Sequence, residues 1–177
     1  MVELVTKSYT DVIFGLAQEE NLLNEIGSEL SEIATIIREN PQYMVFLTSP
    51  QIAKAEKIAS VDSIFDKKVE NTTKNFIKVL IGNGRASYLP EIAKYYRKLQ
   101  REFENIAYIE AITAIEMDEE QKQRLIEKLE SKLGQKVELN NIIDTSIIGG
   151  MKIRIGEKSL DASISSRLRA LHSELIK

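Results

Sequence analysis

Along the first hundred residues, apolar positions recur every three or four places. Leu22, Leu23, Ile26, Leu30, Ile33, Ile36 and Ile37 fall at helical spacing. That helix must stop near Asn40, because Pro41 disfavours helical backbone at the residue before it. Ser49-Pro50 reads as an N-cap followed by proline at the first helical position, and predicts a helix to about Ala59. Asn71 to Ile81 predicts another, with Phe76, Ile77 and Leu80 on one side and Gly82 as its C-terminal stop. Tyr88 to Glu104 is the longest, carrying Ile92, Tyr95, Tyr96, Leu99 and Phe103, while Tyr9, Val12, Ile13 and Leu16 form a similar stripe near the start. Short connections between amphipathic helices predict a bundle.

The period changes after Asn105. Ala107, Ile109, Ala111, Thr113 and Ile115 alternate with Tyr108, Glu110, Ile112 and Ala114, the pattern of a strand buried largely on one face. Asp118 caps a following helix with Gln121 at the capping-box position, and Glu119 and Glu120 suit its positive first turn. Gly134 ends that helix. Val137 and Leu139 predict a second strand, Met151, Ile153 and Ile155 a third, and Ser159 to Asp161 a short fourth after the Gly156-Glu-Lys turn. Ser163 to Ile176 closes the chain as a helix. The expected fold is therefore α+β overall: an N-terminal all-α bundle of about six helices (1–105), then a small α/β C-terminal domain (106–177).

Composition narrows the function classes. A net charge of −3, from 24 Lys+Arg against 27 Asp+Glu, argues against a nucleic-acid binder, which usually shows a basic face. Cysteine is absent, which removes disulfides, thiol catalysis and Cys-based metal sites. The N-terminus lacks a basic flank followed by an apolar segment, and no window approaches 18 uninterrupted apolar residues, so a soluble cytoplasmic chain is expected.

The candidates for chemistry are few. Gly82-Asn-Gly84 follows a helix and Gly149-Gly150 leads into a strand, which favours turns over a phosphate loop. His172 is the one histidine and has no evident partner; an ordinary helix-surface position accounts for it. The pairs Glu19/Glu20 and Glu119/Glu120 point in different directions on a helix, rather than converging as catalytic carboxylates must. No catalytic residue, metal ligand or cofactor site is predicted. In the last helix Ile164, Leu168, Leu171 and Leu175 form an apolar seam whose simplest use is packing against its own sheet. Reception of a partner helix by that seam, or by the Lys152/Arg154 face, stays open. Periodicity alone leads to an interaction protein, such as a cytoplasmic helix-binding adaptor.

The C-terminal stretch carries more. Asp144, Ile148-Gly149-Gly150, Ile153-Arg154-Ile155-Gly156, Asp161-Ala162-Ser163 and Arg167-Leu168 with Leu171 resemble the signature of the delta subunit of F-type ATP synthases, called the oligomycin-sensitivity-conferring protein in mitochondria. Phe46-Leu47-Thr-Ser-Pro50 with Lys57, Asn75-Phe76 to Leu80, Asn83-Gly84-Arg85 and Leu89-Pro90 are similar to that family's helical domain. The chain departs from the family pattern at Ser8-Tyr9-Thr10, at Ile112 to Met117 and at Ala162.

The resemblance implies a non-catalytic stator subunit in the peripheral stalk, without cofactor, at the cytoplasmic face of the membrane and attached there only through the complex. It also implies two partners: the N-terminal helix of an alpha subunit and the C-terminal region of the b-subunit. By the same resemblance, a groove between the first and fifth helices takes the alpha-subunit helix. Mapped onto this chain, the groove would involve Tyr9, Val12, Ile13, Leu16, Phe76, Ile77 and Leu80.

Overall fold

The computed structural model describes residues 2–65 and 68–175. Six α-helices come first: α1 (Val2–Glu19), α2 (Leu23–Glu39), α3 (Pro41–Thr48), α4 (Lys54–Phe65), α5 (Asn71–Gly82) and α6 (Leu89–Phe103), with a 3-10 turn at Ala86–Tyr88. The chain forms two compact units, Met1–Gln100 and Arg101–Lys177, so their division falls in the last turn of α6.

Ile13 and Ala17 of α1, Ile26, Leu30 and Ile33 of α2, Ile77 and Leu80 of α5, and Ile92 and Tyr96 of α6 meet in one buried core. Gly27 explains the closeness of α2 and α6. A Cβ there would stand 2.7 Å from Gln100 Oε1 and 3.1 Å from Tyr96 Cε1. The helix ends are satisfied by side chains from elsewhere in the bundle. Glu29 of α2 accepts the Glu70 N–H at 2.7 Å and the Thr73 hydroxyl, which caps α5 from outside its own sequence. At the other end of α5, Lys54 Nζ donates to the Gly82 carbonyl at 2.6 Å, and the buried Lys57 donates to the Ser49 carbonyl after α3 at 2.6 Å.

Around the prolines one local expectation holds and one fails. Pro41 does end α2, but it also opens α3 at its first position, a helix too short and too weakly patterned to be anticipated. Ser49-Pro50 does not open a helix. Ser49 accepts the Gln51 N–H at 3.3 Å in a tight turn, and α4 starts only at Lys54, running on to Phe65 rather than stopping near Ala59.

In the second unit, β1 (Ile106–Thr113), β2 (Lys136–Ile143), β3 (Met151–Ile155) and β4 (Lys158–Asp161) form a sheet of order β2-β1-β3-β4. β1 pairs parallel with β2 from Ile106↔Lys136 to Thr113↔Ile143, and α7 (Glu119–Leu133) makes the crossover that parallel strands require. β3 returns antiparallel to β1 and β4 antiparallel to β3. α7 begins with the expected capping box, Asp118 with Gln121, and ends at Gly134 in the left-handed region at φ 69°. β1 is shorter than its alternation suggests: Ile115 lies beyond it and is 77% exposed.

The last helix, α8 (Ile164–Leu175), departs most from expectation. Its stripe does not back the sheet, since Ile164, Leu168 and Leu171 are 44, 52 and 56% exposed. α8 is anchored at its start instead. Its Ile164 N–H bonds the Gly149 carbonyl at 3.0 Å, and the buried Ser163 hydroxyl accepts the Ser166 N–H at 3.2 Å as an N-cap. Ile176 lies outside the described residues.

Candidate partner-binding site

α1 and α5 run antiparallel beside each other. Tyr9 Oη accepts from Asn83 Nδ2 at 3.0 Å and from Arg85 at 3.3 Å, with the Arg85 guanidinium 5.4 Å from the Tyr9 ring centre. At the opposite end Thr72 donates to Glu20 at 2.7 Å. Between these contacts the Tyr9 and Phe76 rings meet edge to face at 6.3 Å.

The seven residues assigned to the groove divide by exposure. Ile13, Ile77 and Leu80 are wholly inside the core and Phe76 is nearly so, while Tyr9 is half-buried. Val12 and Leu16 face outward, 60 and 41% exposed. At 100° per residue they sit beside Tyr9 on α1, roughly a quarter to a third of a turn from the buried face of Thr10, Ile13 and Ala17.

Val79 completes this surface. It is 52% exposed and lies about 20° from Thr72 and about 40° from Asn83 on the helical wheel of α5, the face whose Thr72 and Asn83 bond Glu20 and Tyr9. An apolar strip of Val12, Leu16 and Val79 thus flanks a floor of Tyr9 and Phe76. The resemblance, mapped onto the apolar stripe of α5, gave 76, 77 and 80, and that stripe is dominated by core positions. The overlooked signal was an isolated valine on a face otherwise made of Thr72, Asn75 and Asn83.

The C-terminal motif proves to be one junction. Asp144-Thr-Ser146 and Asp161-Ala-Ser163 are the same device: each aspartate accepts the N–H of the serine two residues on, at 2.9 and 3.0 Å. Hydrogen bonds from Ser146, hydroxyl first and N–H second, hold the Asp144 carboxyl below the usual carboxylate value, and Ser163 does the same for Asp161. Gly150, at φ 76°, passes against the second turn, where a Cβ would meet the Ala162 carbonyl oxygen at 2.6 Å. The signature is therefore geometric: a glycine is needed where two Asp-x-Ser turns bring β3 and α8 together.

Among the described residues, no group of three or more His, Asp or Glu is placed to hold a metal ion, and no helix is long and apolar enough to cross a membrane. His172 is exposed on α8.

Comparison with known proteins agrees with this architecture. The family described as "ATP synthase delta (OSCP) subunit" matches residues 5–175. The ATP synthase subunit delta of Lachnoclostridium phytofermentans is 35% identical over 179 residues, covering 100% of this chain and 98% of that protein. The Clostridioides difficile counterpart is 32% identical, covering 99% and 97%. A chain of the solved Toxoplasma gondii mitochondrial ATP synthase hexamer shares the fold at a TM-score of 0.76 and 20% identity, with 97% of each chain covered. The chain belongs to the ATP synthase delta (OSCP) subunit family.

Proposed function

We propose that this chain is a non-catalytic stator subunit at the cytoplasmic face of the membrane. In this reading it ties the N-terminal helix of an alpha subunit to the b-subunit stalk, so that ion-driven rotation is coupled to ATP synthesis. The observation that carries it is the strip of Val12, Leu16 and Val79 over Tyr9 and Phe76. Three apolar side chains stand exposed on a pair of helices joined by the Tyr9–Phe76 ring contact, a surface suited to one amphipathic helix. A stator resists torque by binding alone. Helix-on-helix burial supplies the affinity, at about 25 cal/mol per Å² of apolar surface before association costs.

The working contacts are then Tyr9, Val12, Leu16 and Val79. Ile13, Phe76, Ile77 and Leu80 hold the two helices at the right separation from within the core. The test is titration of the full chain with a peptide copying the N-terminus of the cognate alpha subunit, followed by calorimetry and circular dichroism. Saturable binding with gain of helix is expected, weakened at least tenfold by Val12→Asp or Val79→Asp while the unbound chain keeps its melting temperature. Binding unchanged in both variants would remove this surface from the stator assignment.

A further inference from the structure

Asn83-Gly84 is the one place in the chain where glycine follows an asparagine. That pair is chemically labile in water. The Gly84 main-chain nitrogen, once it has lost its proton, can attack Asn83 Cγ: the N–Cγ bond forms, the Cγ–Nδ2 bond breaks and ammonia leaves. Water then opens the succinimide ring. Breaking the new N–Cγ bond gives aspartate, and breaking the original peptide bond gives isoaspartate, in which the main chain runs through the side-chain carbon. Glycine favours the attack because it has no Cβ to obstruct it and turns freely. The same glycine is what ends α5. Gly84 has φ 66°, its N–H bonds the Ile81 carbonyl at 3.0 Å and the Arg85 N–H bonds the Leu80 carbonyl at 2.7 Å, the paired bonds that close a helix through a left-handed residue.

In the folded chain each requirement of this reaction is denied. Ring closure needs Asn83 Cβ and the Gly84 nitrogen on the same side of the Cα–C bond, and at a ψ of 2° that nitrogen eclipses the main-chain nitrogen of Asn83 instead. The attacking N–H is engaged by the Ile81 carbonyl. The side-chain amide is turned away to α1, where Nδ2 donates to Tyr9 Oη at 3.0 Å. Arg85 donates to the same oxygen at 3.3 Å, and Lys54 of α4 holds the preceding Gly82 carbonyl at 2.6 Å. The site is nevertheless open to water. Asn83 and Gly84 are exposed, and a Cβ on Gly84 would meet nothing within 4 Å, so there is room for the ring once these bonds let go. Only conformation holds the chemistry back, and the Tyr9 bonds are the part of that restraint supplied by α1.

We propose that Asn83 is a self-modifying site whose reaction runs when α1 parts from α5, so that it records how long the chain has stood without a helix on the α1–α5 surface. A helix seated across Val12, Leu16 and Val79 touches both α1 and α5 and opposes their separation; a chain without one opens and ages. The partner is taken from the stator reading, whereas the chemistry rests on the Asn83 turn alone. The two products differ in consequence. Aspartate keeps the backbone and places a carboxylate beside Tyr9 and Arg85. Isoaspartate lengthens the main chain, so the N–H groups of Gly84 and Arg85 no longer reach Ile81 and Leu80 together and the end of α5 is lost. The step consumes water and releases ammonia, needs no other reactant, and does not reverse.

The test follows the full chain at mildly alkaline pH. Mass spectrometry of the fragment containing Asn83 detects the replacement of NH2 by OH, and methyltransferase labelling detects isoaspartate. The folded chain is expected to react about 100-fold more slowly than the chain unfolded in urea. Tyr9→Phe keeps the ring against Phe76 but removes the accepting oxygen, and should speed the folded-state reaction about fivefold while leaving the rate in urea unchanged. If that variant folds poorly, Thr72→Val, which loses the bond to Glu20 at the far end of the same helix pair, should act in the same direction. Asp118→Ala weakens the other unit and should leave the rate as it is. A peptide copying the N-terminus of the cognate alpha subunit, held at about 100 times its dissociation constant, should slow the reaction about 100-fold. A folded chain that reacts as fast as the unfolded one overturns the proposal, as does a rate that neither Tyr9→Phe nor Thr72→Val changes. Equal acceleration by Asp118→Ala also overturns it, by tracing the reaction to global unfolding. A bound peptide that leaves the rate unchanged removes the timer and leaves the stator reading standing. A peptide that fails to bind counts against the stator reading, and Tyr9→Phe still decides whether α1 gates the chemistry.

Discussion

Thr6 shows how much a single atom decides. It is buried in α1, and among the described residues its hydroxyl has no hydrogen-bond partner, whereas the hydroxyl of neighbouring Thr10 donates to the Thr6 carbonyl at 2.8 Å. Thr6→Val keeps the shape and removes the stranded group, and should raise stability by about 1 kcal/mol in urea unfolding. One position apart on the same helix, Val12→Asp and Ile13→Asp should diverge. The first leaves the urea midpoint near that of the parent. The second buries a carboxylate at a site with no solvent exposure and should prevent a cooperative fold. This difference was only partly legible in the sequence. Periodicity located the stripe of Tyr9, Val12, Ile13 and Leu16, but a helix has two edges to every apolar face, and which edge meets water depends on neighbours the local pattern does not name. The aspartates add a pH response. Asp144 and Asp161 have folded-state values below the usual 3.8, so their contribution to stability is present above about pH 4 and is lost as pH falls through those lower values. Asp144→Asn/Asp161→Asn should flatten the acid limb of a pH–stability curve by lowering stability at neutral pH towards its acid value, since a neutral amide lacks the contribution the carboxylates make there.

At the scale of elements, caps decide where helices begin. Asp118 with Gln121 was readable because a capping box is local, and Asp118→Ala should cost about 1 kcal/mol of helix stability, seen as a lower urea midpoint. The cap of α5 was invisible because it comes from Glu29, in another helix. Glu29→Ala should cost about as much, although Glu29 is 41 positions from the Glu70 N–H it satisfies. The same distinction explains α3 and α4. Pro41 announces a boundary without saying that it serves two helices at once, and the Ser49-Pro50 dipeptide suits a turn as well as a cap. It also explains α8, where Ile164, Leu168 and Leu171 satisfy every local criterion for packing on a sheet yet are exposed.

At the scale of the whole molecule, the two units differ in how well they are closed. The first has a contiguous core drawn from α1 to α6; in the second, α7 has no fully buried residue and Ile164, Leu168 and Leu171 of α8 are exposed. Hydrogen exchange should therefore find the backbone amides of α7 and α8 among the first to open and those of α2 and α5 among the last. A partner helix held at 100 times its dissociation constant would stabilise the folded chain by about 2.7 kcal/mol, slowing exchange in the unit it binds. The alternation in β1 and β3 made the sheet legible, and the helical spacing made the bundle legible. The strand order was not, because it follows from pairings across about 30 to 45 residues.

Those pairings also set a timetable for synthesis. β1 sits in the middle of its sheet, but its partners are made later, and the junction that anchors α8 needs Gly150 and Ser163 together. Everything that shapes the α1–α5 surface, in contrast, has been translated by Gln100. On a ribosome adding roughly 5–20 residues per second, the helical unit has several seconds in which to fold before the last strand emerges. The α1–α5 surface is thus finished first, seconds before the junction that anchors α8 can form.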